Sequence, residues 1–328
     1  MQSNSTYFFS CDWGTSSFRL RLVKSPHTVV SEVINHNGIA VIHKQWLSEN
    51  NAIDKLTYYQ SYLDRAIKEI QVRYSLLSYD FPVIVSGMAA SSVGMFELPY
   101  KQLPFNSNGS DIIVNTIEPS SSFPYTTYLI SGICSATDVM RGEEIQLVGC
   151  IDSVKLTESE QLFILPGTHS KHITVINGIA TGFVTYLTGE LFQLLSSHSI
   201  LSNSVEHNID TASFPSNFSQ HFEEGINRAI EGNILQHFIS VRANQLFKYK
   251  NNGENAYYLS GLLIGTELKD IAYKCTVPII LLVNNSLKKL YSHALTFLGC
   301  TNLQIRDVDN CIINGHFKVY QTHHIKLF

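Results

Sequence analysis

The chain is short of charge. Asp, Glu, Lys and Arg make up 15% of its 328 residues, and 23 Lys plus Arg against 27 Asp plus Glu leave a formal charge of -4. With no basic surplus and a pI near 6.3, no broad field draws in nucleic acid or an anionic membrane, so an anionic ligand needs local donors. Long apolar runs are also missing: residues 277–283 form the longest, far below the roughly 18 residues of a membrane-spanning helix. The first residues have no positive n-region and only a short apolar patch at 7–9, unlike a signal peptide. Cys11, Cys134, Cys150, Cys275, Cys300 and Cys311 contain no C-x-x-C pair, which argues against a disulfide framework or a zinc site and points to a reducing, cytoplasmic setting. What is abundant is core material, 44% hydrophobic and 11% aromatic, on a length that suits two domains.

The pattern along the chain is that of an α/β protein. Residues 7–11, 18–23 and 28–34 read as three strands of a meander; Leu56, Tyr59, Leu63, Ile67 and Ile70 then fall at helical spacing, and 81–85 returns to strand. The second half follows the same plan, with strands at 161–165, 171–176 and 179–184 and a type I′ hairpin signal at Asn177-Gly178. One long helical region carrying Ile226, Ile230, Ile234, Phe238 and Val241 comes next. After it we expect a strand at 256–259, a helix opening near Gly261, a strand at 278–283 and a helix at 286–298. Residues 106–122, rich in Asn, Ser and Pro, read as a loop or an excursion on the first domain.

Gly14-Thr15-Ser16-Ser17 and Gly167-Thr168-His169-Ser170 share G-T-x-S, each between a buried strand and an alternating one, about half the chain apart. Such turns expose backbone N–H groups and hydroxyls, which suits phosphate oxygens. Two of them, one from each half and facing across a cleft, would grip the phosphates of a nucleotide. An ordinary hairpin turn is the plainer alternative for either. An acid, Asp12, stands only before the first turn, where one carboxylate suffices to orient hydrated Mg²⁺. Lys171 could reach a phosphate or be a solvated strand residue. A hydrolase built on Ser170 and His169 is disfavoured, since adjacent residues of an extended segment diverge and no G-x-S-x-G elbow is present.

Phe9-Ser10-Cys11-Asp12-Trp13-Gly14-Thr15-Ser16-Ser17-Phe18-Arg19 resembles the first phosphate motif of the actin-like ATPase and sugar kinase superfamily. Asp138-Val139-Met140-Arg141-Gly142-Glu143-Glu144, Pro166-Gly167-Thr168-His169-Ser170-Lys171, Thr188-Gly189-Glu190 and Tyr258-Leu259-Ser260-Gly261-Leu262-Leu263-Ile264-Gly265 resemble one branch, the 2-dehydro-3-deoxygalactonokinases, in order and along nearly the whole chain. The resemblance implies two ribonuclease-H-like domains of the actin-like ATPase / sugar kinase fold flanking a central cleft, set at residues 1–135 and 136–328. It also implies ATP-dependent phosphorylation of 2-dehydro-3-deoxy-D-galactonate at its 6-hydroxyl. A kinase of the same fold for another sugar acid or sugar, and a non-catalytic nucleotide- or sugar-binding regulator, stand as alternatives.

From the resemblance, Glu143 ranks first as the base and Asp138 second, with Arg141 beside them. Gly14, Thr15, Ser16, Ser17, Gly167, Thr168, Ser170, Lys171, Ser260, Gly261 and Gly265 are expected to bind ATP, and Asp12 Mg²⁺. The substrate's carboxylate calls for an arginine, Arg19 or Arg141. Residues 86–100 resemble the branch's G-M-x-G-S-R-x-G-W-x-E-x-P-Y segment, which places Gly87, Met88, Ser91, Glu97 and Tyr100 on the sugar side, but Ser92 stands at its Arg and Met95 at its Trp. Partners are then a sugar acid and a nucleotide, with no nucleic acid and no membrane; a homodimer stays open.

Overall fold

The computed structural model describes residues 7–25, 27–49, 53–74, 81–207, 209–274 and 276–324; Cys275 and residues 1–6 lie outside them. From the N-terminus come β1 (Tyr7–Trp13), β2 (Phe18–Lys24), β3 (Thr28–Asn35), α1 (Ile39–Ser48), α2 (Lys55–Tyr74), β4 (Val83–Gly87), β5 (Val114–Ile117), β6 (Thr127–Ile130) and α3 (Glu143–Cys150). Then follow β7 (Glu160–Leu165), β8 (Ser170–Ile176), β9 (Ile179–Tyr186), α4 (Thr188–His198), α5 (Ser216–Glu231), α6 (Ile234–Leu246), α7 (Asn252–Leu268), β10 (Ile279–Val283), α8 (Asn285–Phe297), β11 (Leu303–Asp307) and α9 (Val308–His324). The chain divides into two compact units: residues 1–156 with 177–182 and 309–328, and residues 157–176 with 183–308.

In the first unit the sheet order is β3-β2-β1-β4-β6-β5. β1, β2 and β3 form an antiparallel meander, β4 and β6 run parallel to β1, and β5 closes the edge antiparallel. β5 lies inside the stretch read as a loop or an excursion, and pairs within the first unit's sheet. The central strand β1 is buried at Phe8, Phe9, Ser10 and Cys11, because elements cover both of its faces. α2 buries Tyr59, Leu63, Ile67 and Ile70, the stripe its spacing predicts. Full burial of such side chains contributes roughly 1.5–3 kcal/mol each.

The second six-stranded sheet repeats the order as β11-β10-β7-β8-β9, with β10 parallel to β7, β11 parallel to β10, and the short strand Phe105–Asn106 antiparallel to β9 at the edge. The turn between β8 and β9 has positive φ at both Asn177 (48°) and Gly178 (75°), as a type I′ hairpin requires. The expected long helix is broken at Gly232 into α5 and α6.

The expected strand at 256–259 is absent: residues 252–268 form one helix, α7. Its start is fixed by a capping box, in which the Asn251 side chain accepts from the Glu254 N–H and the Glu254 carboxylate accepts from the Asn251 N–H. The helix is buried nearly all round, and Gly261 and Gly265 let α5 approach; a Cβ at Gly265 would lie 2.8 Å from the Cα of Ile226. Ser260 and Gly261 therefore sit in mid-helix, not at the junction of a strand and a helix.

Candidate active site

Both Gly-Thr turns are held in the same way. In the first unit the N–H of Gly14 donates to the Ser17 carbonyl (2.9 Å), and the start of α1 clasps the turn: the N–H of Ile39 donates to the Gly14 carbonyl (2.9 Å) and that of Ala40 to the Thr15 carbonyl (3.1 Å). In the second unit the start of α4 does this, the N–H of Glu190 donating to the Thr168 carbonyl (3.0 Å). Each clasp needs a glycine where helix and turn touch. A Cβ on Gly38 would overlap the Thr15 carbonyl oxygen, and one on Gly189 would come within 2.5 Å of the Gly167 oxygen. Thr15, Ser16 and Thr168 are exposed, with side chains free of hydrogen bonds among the described residues.

Around the first turn the unit gathers charge. Asp12, at the end of β1, lies opposite Arg19 on β2 and accepts from its Nη1 (2.8 Å). Burial pushes the Asp12 carboxyl up, and Arg19 pulls part of that shift back. Gly87 ends β4 at φ 87°, a conformation that favours glycine, and a Cβ there would sit 2.7 Å from the Trp13 carbonyl oxygen and 3.5 Å from Asp12 Oδ1. Gly142, the residue before α3, abuts Gly87: its Cβ would lie 3.4 Å from the Gly87 Cα. The ends of β1 and β4 and the start of α3 thus converge, which brings Glu143 to the end of the sheet that carries Asp12.

Glu143 Oε2 accepts from the Arg141 N–H (3.0 Å). The neighbouring Glu144 is fully buried and takes the Gly142 N–H on both oxygens (2.9 and 2.7 Å). Burial, with the Glu143 charge beside it, pushes Glu144 up to about 8. The segment from Arg141 to Glu144 is therefore no solvated helix start. Arg141 reaches into the 88–98 loop, donating from Nη1 to the Ala90 carbonyl and lying 4.2 Å over the Tyr100 ring. Of the other expected sugar-side residues, Met88 is half-buried, Glu97 is exposed, and Ser91 Oγ donates to the Met88 carbonyl (2.7 Å). Met95 is in the core and Ser92 is exposed. Asp138 sits on the turn at 135–138, its N–H donating to Ser135 Oγ (2.9 Å).

The second turn is backed by buried polar side chains. Ser170, fully buried, shares a hydrogen bond with Tyr291 OH (3.1 Å); that hydroxyl donates to Glu267 Oε2 (2.7 Å), which also accepts from Thr188 Oγ1, while Glu267 Oε1 pairs with His172 Nε2 (2.9 Å). Lys171 is not solvated: it is 4% exposed and donates to Thr185 Oγ1 (2.7 Å). An apolar cavity of about 100 Å³ opens beside this group, lined by Gly167, Thr188, Ser260, Leu263, Ile264 and Tyr291 among others. Ser260 reaches it, whereas Gly261 and Gly265 face α5. Glu267 was not among the sequence candidates, although an acid in the mostly apolar run 256–268 is a usable signal. His316 was missed too: it bridges Ser10 (2.7 Å) and Ser86 (2.9 Å) beneath Asp12 and Gly87, and burial holds its imidazole down to about 3.

Among the described residues no group of three or more His, Cys, Asp or Glu gathers as a metal cluster. Asp12 nevertheless fits a hydrated Mg²⁺, which needs one or two carboxylates and keeps its waters; Oδ2 is held by Arg19, and Oδ1 faces the Gly87 backbone.

A family model described as 2-keto-3-deoxy-galactonokinase matches residues 12–319. The chain is 30% identical over 323 residues to "Probable 2-dehydro-3-deoxygalactonokinase DgoK1" of Rhizobium meliloti (strain 1021), covering 94% of this chain and 95% of that one. It is 31% identical over 229 residues to the 2-dehydro-3-deoxygalactonokinase of Escherichia coli (strain K12), 67% of this chain and 72% of the relative. A crystal structure of a Sinorhizobium meliloti protein named as a candidate 2-dehydro-3-deoxygalactonokinase superposes with a TM-score of 0.78 at 26% identity, covering 97% and 96% of the two chains.

Proposed function

The chain belongs to the 2-keto-3-deoxy-galactonokinase family, with the fold of the actin-like ATPases and sugar kinases, and on that premise we propose that it phosphorylates 2-dehydro-3-deoxy-D-galactonate at the 6-hydroxyl, using ATP and giving the 6-phosphate and ADP. One observation carries the reading: each unit builds a Gly-Thr turn clasped by a helix N-terminus, and in the first unit Asp12 and the Glu143 helix start converge beside it. In this reading Glu143 accepts the proton of the 6-hydroxyl as that oxygen bonds to the γ-phosphorus and the bond from phosphorus to the bridging oxygen of ADP breaks. The N–H groups and hydroxyls of Thr15, Ser16 and Thr168 serve phosphate oxygens, and Arg19 and Arg141 supply positive charge for the acceptor's carboxylate. Mg²⁺, when bound, supplies charge neutralisation on the phosphates, and Asp12 is the residue that would hold it. We place the protein in a reducing, cytoplasmic compartment, in keeping with free, buried thiols at Cys11 and Cys134.

A second reading, a kinase of this fold for another sugar acid, is favoured by Ser92 and Met95. Met95 is 1% exposed and fills the core, and exposed Ser92 offers no cation to a carboxylate. An ADP-release assay over a panel of 2-dehydro-3-deoxy sugar acids tests both. The galactonate compound should give the highest kcat/KM. Higher turnover on another acid would select the second reading, and ADP release with no acceptor in the panel would end both.

A further inference from the structure

We propose that Glu267 is a positioning residue that presets the second Gly-Thr turn for the terminal phosphates of ATP. The inference rests on the reading of that turn as a phosphate cradle.

Glu267 reaches the turn by two routes. Along the first, Tyr291 OH donates to Glu267 Oε2 (2.7 Å), and a phenol has one proton, so the bond between Ser170 and Tyr291 (3.1 Å) must be donated by Ser170. Ser170 Oγ is then an acceptor toward the turn, and the Gly167 N–H points to it (3.4 Å). Proton counting thus gives a directed chain from the Gly167 amide through Ser170 and Tyr291 to a carboxylate. Burial raises the Tyr291 pKa well above its usual value, which keeps that phenol a donor.

Along the second route, Thr188 Oγ1 donates to the same carboxylate oxygen, and Thr188 begins α4, whose Glu190 N–H holds the Thr168 carbonyl. The remaining oxygen, Oε1, is held by His172, so the carboxylate cannot swing away. Ser170, Glu267 and Tyr291 are each at most 2% exposed, so the chain is shielded from competing water. One consequence is that the Ser170 hydroxyl has no proton left for a phosphate. Its part in ATP binding is to fix the turn.

The test compares ATP with adenosine, which lacks the phosphates the turn would hold, by calorimetric titration of the full-length protein. Tyr291→Phe deletes only the bridging hydroxyl, and Glu267→Gln removes the charge at constant shape. Each should raise the Kd for ATP about tenfold while that for adenosine stays within about twofold. Parallel weakening of both ligands would mean that the side chains merely support the cavity, and no change in either would also overturn the proposal. Thr168→Asp, on an exposed residue, sets a negative charge on the turn and should abolish ATP binding while sparing adenosine. If Thr168→Asp leaves ATP binding intact, the cradle reading itself falls. If it destroys ATP binding and Tyr291→Phe does nothing, only the role of Glu267 falls. Should Glu267→Gln fail to fold, Tyr291→Phe decides alone.

Discussion

The two Gly-Thr turns have one scaffold and opposite surroundings. Each follows the first strand of a meander, and each is clasped by the helix that follows the third strand. At the first turn Asp12 lies opposite Arg19, and the pair is partly open to solvent. At the second, Leu165 lies opposite Lys171, whose ammonium is buried on Thr185, and the polar contacts run inward through Ser170, Tyr291 and Glu267. The difference teaches how a duplicated element can diverge. A carboxylate near the surface can exchange partners with a cation or substrate, whereas a carboxylate saturated by three donors can only hold geometry. Charge that changes during a reaction is expected at the first turn, and rigidity at the second.

The largest expected effect tests the first half of that contrast. Glu143→Gln should lower kcat by about 100-fold or more, the range of a lost general base, with the Kd for ATP changed less than twofold. Steady-state kinetics beside ATP titration reads both. Retained turnover would move the base to Asp138, and Asp138→Asn would then show the loss. Loss of activity in neither variant would remove acid–base work from the first unit and break the comparison.

A matched pair probes what the turns share. Gly38→Ala and Gly189→Ala each place a methyl group against the backbone of a turn, and the neighbour in both cases is a carbonyl rather than a flexible side chain. Overpacking of this kind costs typically 1–3 kcal/mol. Both variants should lose about tenfold in kcat/KM and a few degrees of Tm, to similar extents. If one substitution is tolerated, the clasp is not a common device and the likeness of the turns is only one of sequence.

The shared features were legible in the sequence because they are local. The meanders, the Asn177-Gly178 hairpin and the G-T-x-S repeats rest on neighbours a few residues apart. α7 was misread as a strand followed by a helix because a helix buried on all sides loses its 3.6-residue period, and the run from Tyr257 to Ile264 is apolar except at Ser260 and Gly261. The Asn251 and Glu254 capping pair carried the right signal outside the apolar run. Glu267 carries a local signal, an acid in a mostly apolar stretch, but its role and that of His316 depend on distant partners: those of Glu267 lie 24, 79 and 95 residues away and those of His316 lie 230 and 306 away. The return of α9 to the first unit, where Gly315 meets the Ile145 backbone of α3, is likewise a tertiary fact with no local signature.

The smallest effect sharpens the contrast through pH. In the first unit Glu144 is pushed up to about 8 from a usual value of 4.5, by burial and by the charge of Glu143 beside it. The folded state therefore binds a proton that the unfolded chain has released between these values. This contribution to stability is complete below pH 4.5 and is lost as pH rises through 8. Once ionised in the fold, the carboxylate costs on the order of a few kcal/mol. Glu144→Gln keeps an acceptor for the Gly142 N–H and removes the titration, so its Tm should fall about 5 °C less than that of the wild type between pH 6 and pH 9. Melting curves across that range, with turnover at pH 7 as the control, provide the measurement. Parallel Tm profiles would mean that the Glu144 carboxyl is ionised in the fold throughout. In that case two adjacent charges would stand at the start of α3.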